Sequence, residues 1–179
     1  MDLQLYNKCL QLKANEDIAN SFIFRLGELH TVFAILKVIG KYIDNSGLDQ
    51  LFVEADVYGP VTKGQIIDGK HVKRAVEAHI MLYLALSHFY FEKAINSDSS
   101  LVKPFKEIEH LEGVNKECHG EAVSIIEINR VAEALQKIDS TFTMQAVFYR
   151  NYMRMIEHLL LFIRASREGQ WDLHLASLH

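Results

Sequence analysis

Proline and cysteine are almost absent from this chain: two of each occur in 179 residues. With only nine glycines besides, little interrupts the backbone, and long helices are the natural outcome. The two cysteines, Cys9 and Cys118, are too few and too far apart for a disulfide framework or a zinc spacing. A reducing, intracellular setting, nuclear or cytoplasmic, is expected. A long uncharged run is also missing. The oiliest stretch, Phe22 to Ile43, holds Arg25, Glu28, His30, Lys37 and Lys41, whereas a membrane span needs about 20 residues nearly free of charge. The opening MDLQLYNKCLQLKANED is too polar for a signal peptide. Positive charge is in deficit, the formal net charge being −4, so no chain-wide footprint for nucleic acid is present, although a local basic patch is compatible with it.

Catalytic signatures are scarce too. Val61-Thr62-Lys63-Gly64-Gln65 lacks the glycines of a phosphate loop, and no Gly-x-Ser-x-Gly elbow occurs. A di-iron bundle needs Glu-x-x-His on two helices, and Glu107-Ile-Glu-His110 is the single match. His71, His79 and His88 share a helix but point in different directions, so they cannot chelate one ion. Cys118-His119 are sequence neighbours that diverge on a helix, and a structural role is favoured for them. No metal and no cofactor are expected.

What the chain does contain is helical periodicity. Asp2 can cap a helix over residues 3 to 13, and Asn15 one that runs to about Asp44, where Gly47 supplies a left-handed stop. A short helix, Leu48 to Ala55, precedes a turn at Tyr58-Gly59-Pro60. One or two helical turns over 61 to 68 stop at Gly69. Residues 70 to 96 read as a long amphipathic helix with Val72, Val76, His79, Ile80, Tyr83, Leu84 and Phe91 on its apolar side. Pro104 suits the start of a small helix ending near Leu111, and another helix spans 121 to 138. Asp139 or Ser140 can cap a last long helix, 141 to 167, which Gly169 ends. LFVEADVYG is the one β-like window, too short to build a sheet. The expected fold is all-α: a bundle of three to four long helices with short satellites, in a single domain over residues 1–179.

Two polar features stand out. Arg25, Glu28 and His30 interrupt an apolar helix. As helical neighbours three apart, Arg25 and Glu28 are either a mutually satisfied ion pair or a charge held for a ligand. His30 falls on the polar stripe with Ala34, Lys37, Lys41 and Asp44, as a hydrogen-bonding histidine or as a base or ligand. The rest of that helix is so apolar that it is expected to be central, with neighbours on several sides. In the last helix Arg150, Arg154, Glu157, Arg164 and Glu168 follow a stripe, with Arg167 beside it. Either this is a salt-bridged outer face, or Arg150, Arg154, Arg164 and Arg167 meet nucleic-acid phosphates.

Three stretches carry a resemblance: FRLGELHTVFAILKVIGKYIDNSGLDQLF, ADVYGPVTKGQIIDGKHVKRAVEAHIMLYLAL and NYMRMIEHLLLFIRASREGQWDLHLASL. Together they resemble a large set of animal proteins, abundant in cnidarians, echinoderms and fish, of mobile-element ancestry and with a domain of unknown function. The matching positions are Leu26, Gly27, His30, Ile39, Gly40, Ser46, Gly47, Gly69 and Lys70, then Phe162, Ile163, Arg164, Ala165, Arg167, Gly169, Trp171, His174 and Leu175. Glu28 departs from the Gly or Asp of that pattern. The resemblance implies that this chain is the helical part of a transposase-like protein, whose metal-binding carboxylates would stand on a separate sheet, with Asp2 as a remnant. Arg25, Glu28, His30, Arg164, Trp171 and His174 are then the candidate polar site, which is equally open to an architectural reading. Trp171 is expected to fold back onto the core past the Gly169 cap. The leading expectation is a non-catalytic domain that binds nucleic acid or a protein partner, or plays a structural role. The alternatives are a metal-dependent nuclease using Asp2, His30 and Glu168 or Asp172, and a plain helical interaction module.

Overall fold

The computed structural model describes residues 3–15, 26–97, 99–102, 125–141 and 143–177. Among these, every regular element is helical: α1 (Leu3–Asn15), α2 (Glu28–Ile43), α3 (Leu48–Glu54), α4 (Pro60–Ile67), α5 (Val72–Ser97), a 3₁₀ turn at Ser99–Leu101, α6 (Ile125–Asp139), α7 (Met144–Glu168) and α8 (Trp171–Ala176). No strand occurs among the described residues, and the fold is all-α. The β-like LFVEADVYG window is helical over Leu51–Glu54. Asp2, Arg25, Phe22, Pro104, the Glu107–His110 motif and Cys118-His119 lie outside the described residues.

The chain divides into two compact units. Residues 1–81 and 154–179 make the first, and residues 82–153 the second. Helices α5 and α7 each contribute to both.

In the first unit α2 buries one stripe, Val32, Leu36, Ile39, Gly40 and Ile43, at helical spacing. It is not wrapped on all sides. Leu29 and Val38 remain more than half exposed and Phe33 more than a third. The helix also begins later than expected. Leu26 and Gly27 are not helical, and Gly27 is the extended N-cap at φ −63°, ψ 140°. Glu28 is therefore the first residue of α2.

Helix α4 crosses α2 with its backbone nearly touching. A Cβ at Gly40 would fall on the Ile67 carbonyl oxygen, with the carbonyl carbon at 2.7 Å and Cα at 2.8 Å. Only glycine fits there. Gly69 ends α4 at φ +70°, its N–H donating to Ile66 O (3.0 Å) while Lys70 N–H reaches Gln65 O (2.8 Å), a Schellman turn. Pro60 opens α4 at its first position, where the missing N–H costs nothing. Gly47 (φ +91°) divides α2 from α3, and Ser46 secures the corner: its hydroxyl donates to Ile43 O (2.6 Å) and accepts from Leu48 N–H (3.2 Å). Asp49, on α3, is 1% exposed and accepts from Lys63 Nζ of α4 at 2.8 Å. The lysine of the rejected phosphate-loop window thus neutralises a buried carboxylate.

Helix α5 is turned away from its expected phase. Small residues, Ala75, Ala78 and Ala94, go fully inside with His79, while Leu84, Met81 and Phe89 face out. In the second unit Tyr90, Ala94, Leu101, Val131, Ile138 and Met153 form the core, with Leu135 and Tyr83 packed against it. Helix α7 is capped by Thr143, whose Oγ1 accepts from Ala146 N–H at 3.3 Å. The expected caps are engaged elsewhere: Ser140 Oγ donates to Lys137 O (2.6 Å), and Asp139 accepts from the Tyr90 hydroxyl (3.0 Å). Gly169 (φ +67°) ends α7 as its sequence position suggests.

Candidate functional site

The turn at Gly169 folds α8 back along the end of α7. His174, 4% exposed, is the residue that enters the core. Its ring packs 4.8 Å from that of Phe162, and its Nδ1 faces Ser166 Oγ at 3.4 Å. Trp171 does the opposite of what was expected. It stays 54% exposed and stacks over the outer side of the His174 ring, centroids 5.7 Å apart and planes within 14°. Glu28, Ser166, Gln170, Trp171 and His174 line one small concavity. Three of the six candidate polar residues, Glu28, Trp171 and His174, therefore converge. His30 is half-buried on α2 but does not line that concavity, and Arg25 is outside the described residues. Arg164 is exposed, its Nε donating to Glu168 Oε1 at 3.0 Å. Glu168 also accepts from Gln170 Nε2 at 2.8 Å.

The arginine strip is partly neutralised by its own neighbours. Arg150 is half-buried in the second unit, its Nε 3.7 Å from Asp139 Oδ2 and its guanidinium 5.0 Å above the Tyr90 ring. Arg164 is paired within its helix. Arg154 and Arg167 are exposed on the first unit's part of α7.

A groove of about 430 Å³ lies beside Arg154. It is lined by Ile35, Val38 and Ile39 of α2, with Val38 the most exposed of the three, and by Arg154, Met155 and His158 of α7. The His158 Nδ1–H donates to the Arg154 carbonyl at 2.7 Å, because a carbonyl can only accept. Lys41 lies one turn beyond Val38 on α2 and is exposed, adding positive charge at the end of the Ala34–Val38 row. Sequence reasoning missed this groove. Its sequence signal is an α2 that is apolar over more of its circumference than one packed face requires, a pattern that suits burial equally well.

His79, His71 and His88 line neither concavity. His79 is fully buried, edge-on to Phe52 at 6.4 Å, and burial pushes its imidazole down to about 4. It is neutral at physiological pH. His71 (φ +54°) precedes α5, and His88 is exposed beside Phe89. Tyr152 is fully buried, which drives its phenol well above the usual range. Among the described residues no three His, Cys, Asp or Glu side chains are grouped to hold a metal ion, and no helix is long and apolar enough to cross a membrane.

No curated protein and no solved structure matches the chain. One family model does, over residues 1–179, and it bears the description "Domain of unknown function (DUF8702)". By that full-length match the chain belongs to the DUF8702 family.

Proposed function

We propose that this protein is a non-catalytic helical binding module of mobile-element ancestry, and that its partner is an amphipathic helix with acidic flanks. The single observation that carries the binding role is the α2–α7 groove: Val38, 58% exposed, lines it together with Ile35, Ile39, Met155 and Arg154. An apolar helix face laid in such a groove removes this surface from water, and acidic flanks meet Arg154 and Lys41. A protein partner is favoured over nucleic acid because five of the eight groove-lining residues, Ala34, Ile35, Val38, Ile39 and Met155, are apolar, which suits a helix face better than a phosphate backbone. The ancestry rests on the resemblance of the Leu26–Gly47, Gly69-Lys70 and Phe162–Leu175 stretches. A role as one helical part of a transposase-like protein is consistent with a module that docks other chains.

The test is fluorescence anisotropy with a synthetic peptide of about five helical turns. Leucines stand at i, i+3, i+4 and i+7, with glutamates flanking. Micromolar binding is expected, weakened about tenfold by Val38→Glu or by Arg154→Glu. A lysine-flanked peptide should bind at least about tenfold less tightly. Equal binding of both peptides, or indifference to Val38→Glu, overturns the reading. Salt-steep binding of duplex DNA that Arg164→Ala and Arg167→Ala abolish would put the nucleic-acid reading in its place. Metal-dependent cleavage lost in Asp2→Ala and His30→Ala would replace both with the nuclease.

A further inference from the structure

Helix α1 has an apolar face that its own chain leaves largely in water. At about 100° per residue, Leu5, Tyr6, Cys9, Leu10 and Leu12 fall within about 160° of its circumference, and Gln4, Asn7, Lys8 and Gln11 take the other side. A helix patterned in this way ordinarily packs its apolar stripe against a core. Yet none of the residues from Gln4 to Ala14 is buried. Leu5 stays 53%, Leu10 41% and Leu12 54% exposed, with Tyr6 and Cys9 half-buried among them. At 13 residues α1 is also of the length at which a helix in water is marginal without packing. Single exposed leucines are ordinary on a protein surface, but three on one arc of so short a helix make a contiguous face.

The same compact unit holds a surface of the matching kind, the α2–α7 groove with Ala34, Ile35, Val38, Ile39 and Met155 in its lining. No described residue of α1 lines it. Laying the α1 face in that groove takes both apolar surfaces out of water. Leu5, Cys9 and Leu12 stand at i, i+4 and i+7, the spacing by which an amphipathic helix anchors in an apolar groove. The charges agree in sign as well. In sequence α1 lies between Asp2 on one side and Glu16 and Asp17 on the other, and Lys41 is exposed one turn beyond Val38 on α2. The leucine face supplies the affinity, and the charges bias which way round the helix lies.

We propose that α1 of one copy docks in the α2–α7 groove of a second copy, so that the chain self-associates by exchanging its first helix. Docking of α1 rests on the groove being a site for an amphipathic helix, and it names that helix as the chain's own. Exchange of an identical element between protomers is a low-cost route to assembly, because each copy brings both halves of the contact.

The experiment is sedimentation velocity of the full chain over a concentration series. Self-association with Kd on the order of 10–100 μM is expected. The pair Leu5→Glu, Leu12→Glu in α1, or Val38→Glu in the groove, should each weaken it at least about tenfold. All three positions are exposed, so the melting temperature should be unchanged. An equimolar mixture of the two variants should associate more tightly than either alone, because one brings an intact groove and the other an intact α1. The glutamate-flanked leucine peptide should dissociate the wild-type assembly. A wild-type chain that stays monomeric at several times this Kd overturns the exchange. Peptide binding to that monomer would show that the groove reading outlives it, and no peptide binding would end both. Association that survives the α1 pair or Val38→Glu, or a mixture no more associated than its components, also overturns it.

Discussion

Gly40 and Gly64 are both helical glycines, and replacing each with alanine should have opposite effects. Helix propensity alone favours alanine by about 1 kcal/mol at either position. At Gly64, inside α4, a Cβ meets nothing within 4 Å, so Gly64→Ala should stabilise the protein by up to about 1 kcal/mol. At Gly40 the same methyl falls on the Ile67 carbonyl oxygen, with backbone atoms at 2.7 and 2.8 Å around it. Backbone cannot swing aside as a side chain does, so α2 and α4 must move apart by on the order of 1 Å. Overpacking of this kind costs about 3 kcal/mol, and the separation also loosens the packing of the stripe around Leu36 and Ile39. The net expectation for Gly40→Ala is a loss of about 2 kcal/mol or more. For a chain of 179 residues that lowers the melting temperature by about 4–8 °C, while Gly64→Ala raises it by about 2–4 °C. Urea unfolding of the three proteins side by side reads both signs. A Gly40→Ala midpoint at or above wild type would refute the close crossing of α2 and α4.

His79 makes stability depend on acidity. Burial holds its folded pKa at about 4, below the ordinary imidazole value of about 6.5, so between those values the unfolded chain takes up a proton that the folded chain refuses. Stability should be unaffected by this group above about pH 6.5 and fall by about 3 kcal/mol in total as pH drops to about 4, and His79→Phe should remove that share of the fall. Parallel pH profiles for wild type and variant would contradict the burial. Lys63→Met should cost about 3 kcal/mol by leaving the Asp49 carboxylate buried without its cation, whereas the Lys63→Met, Asp49→Asn pair should cost less in denaturant unfolding. A double variant weaker than the single would show that the pair is not what neutralises Asp49. Thr143→Ala should cost about 1 kcal/mol through the lost cap on α7, and an unchanged unfolding midpoint would argue against that cap.

Helix ends were largely legible in the sequence, because the information is local. Gly47, Gly69 and Gly169 each take a positive φ where a glycine follows an apolar periodic run. Caps with distant partners were not legible. Asp139 reads as a cap from its neighbours, yet Tyr90 and Arg150, far off in sequence, bind it. The α5 phase is not legible because a hydrophobicity pattern weights Ile80 and Leu84 above alanine, while close packing selects the small Ala75 and Ala78. The same blindness covers Gly40, whose reason lies in a carbonyl of α4. At the α7–α8 turn the sequence marked the right pair of residues but the wrong member. His174, which can face Ser166 when buried, goes inside, and Trp171 covers it from outside.

On the proposed reading the α2–α7 groove is a docking surface and not packing left incomplete. Methyl NMR of the full chain during titration with the acidic amphipathic peptide tests this most directly. Saturable shifts at the Ile35, Val38, Ile39 and Met155 methyls, absent in Val38→Glu, are the predicted result. Peptide binding that leaves the methyls of those four residues unmoved, or no binding at all, would contradict it.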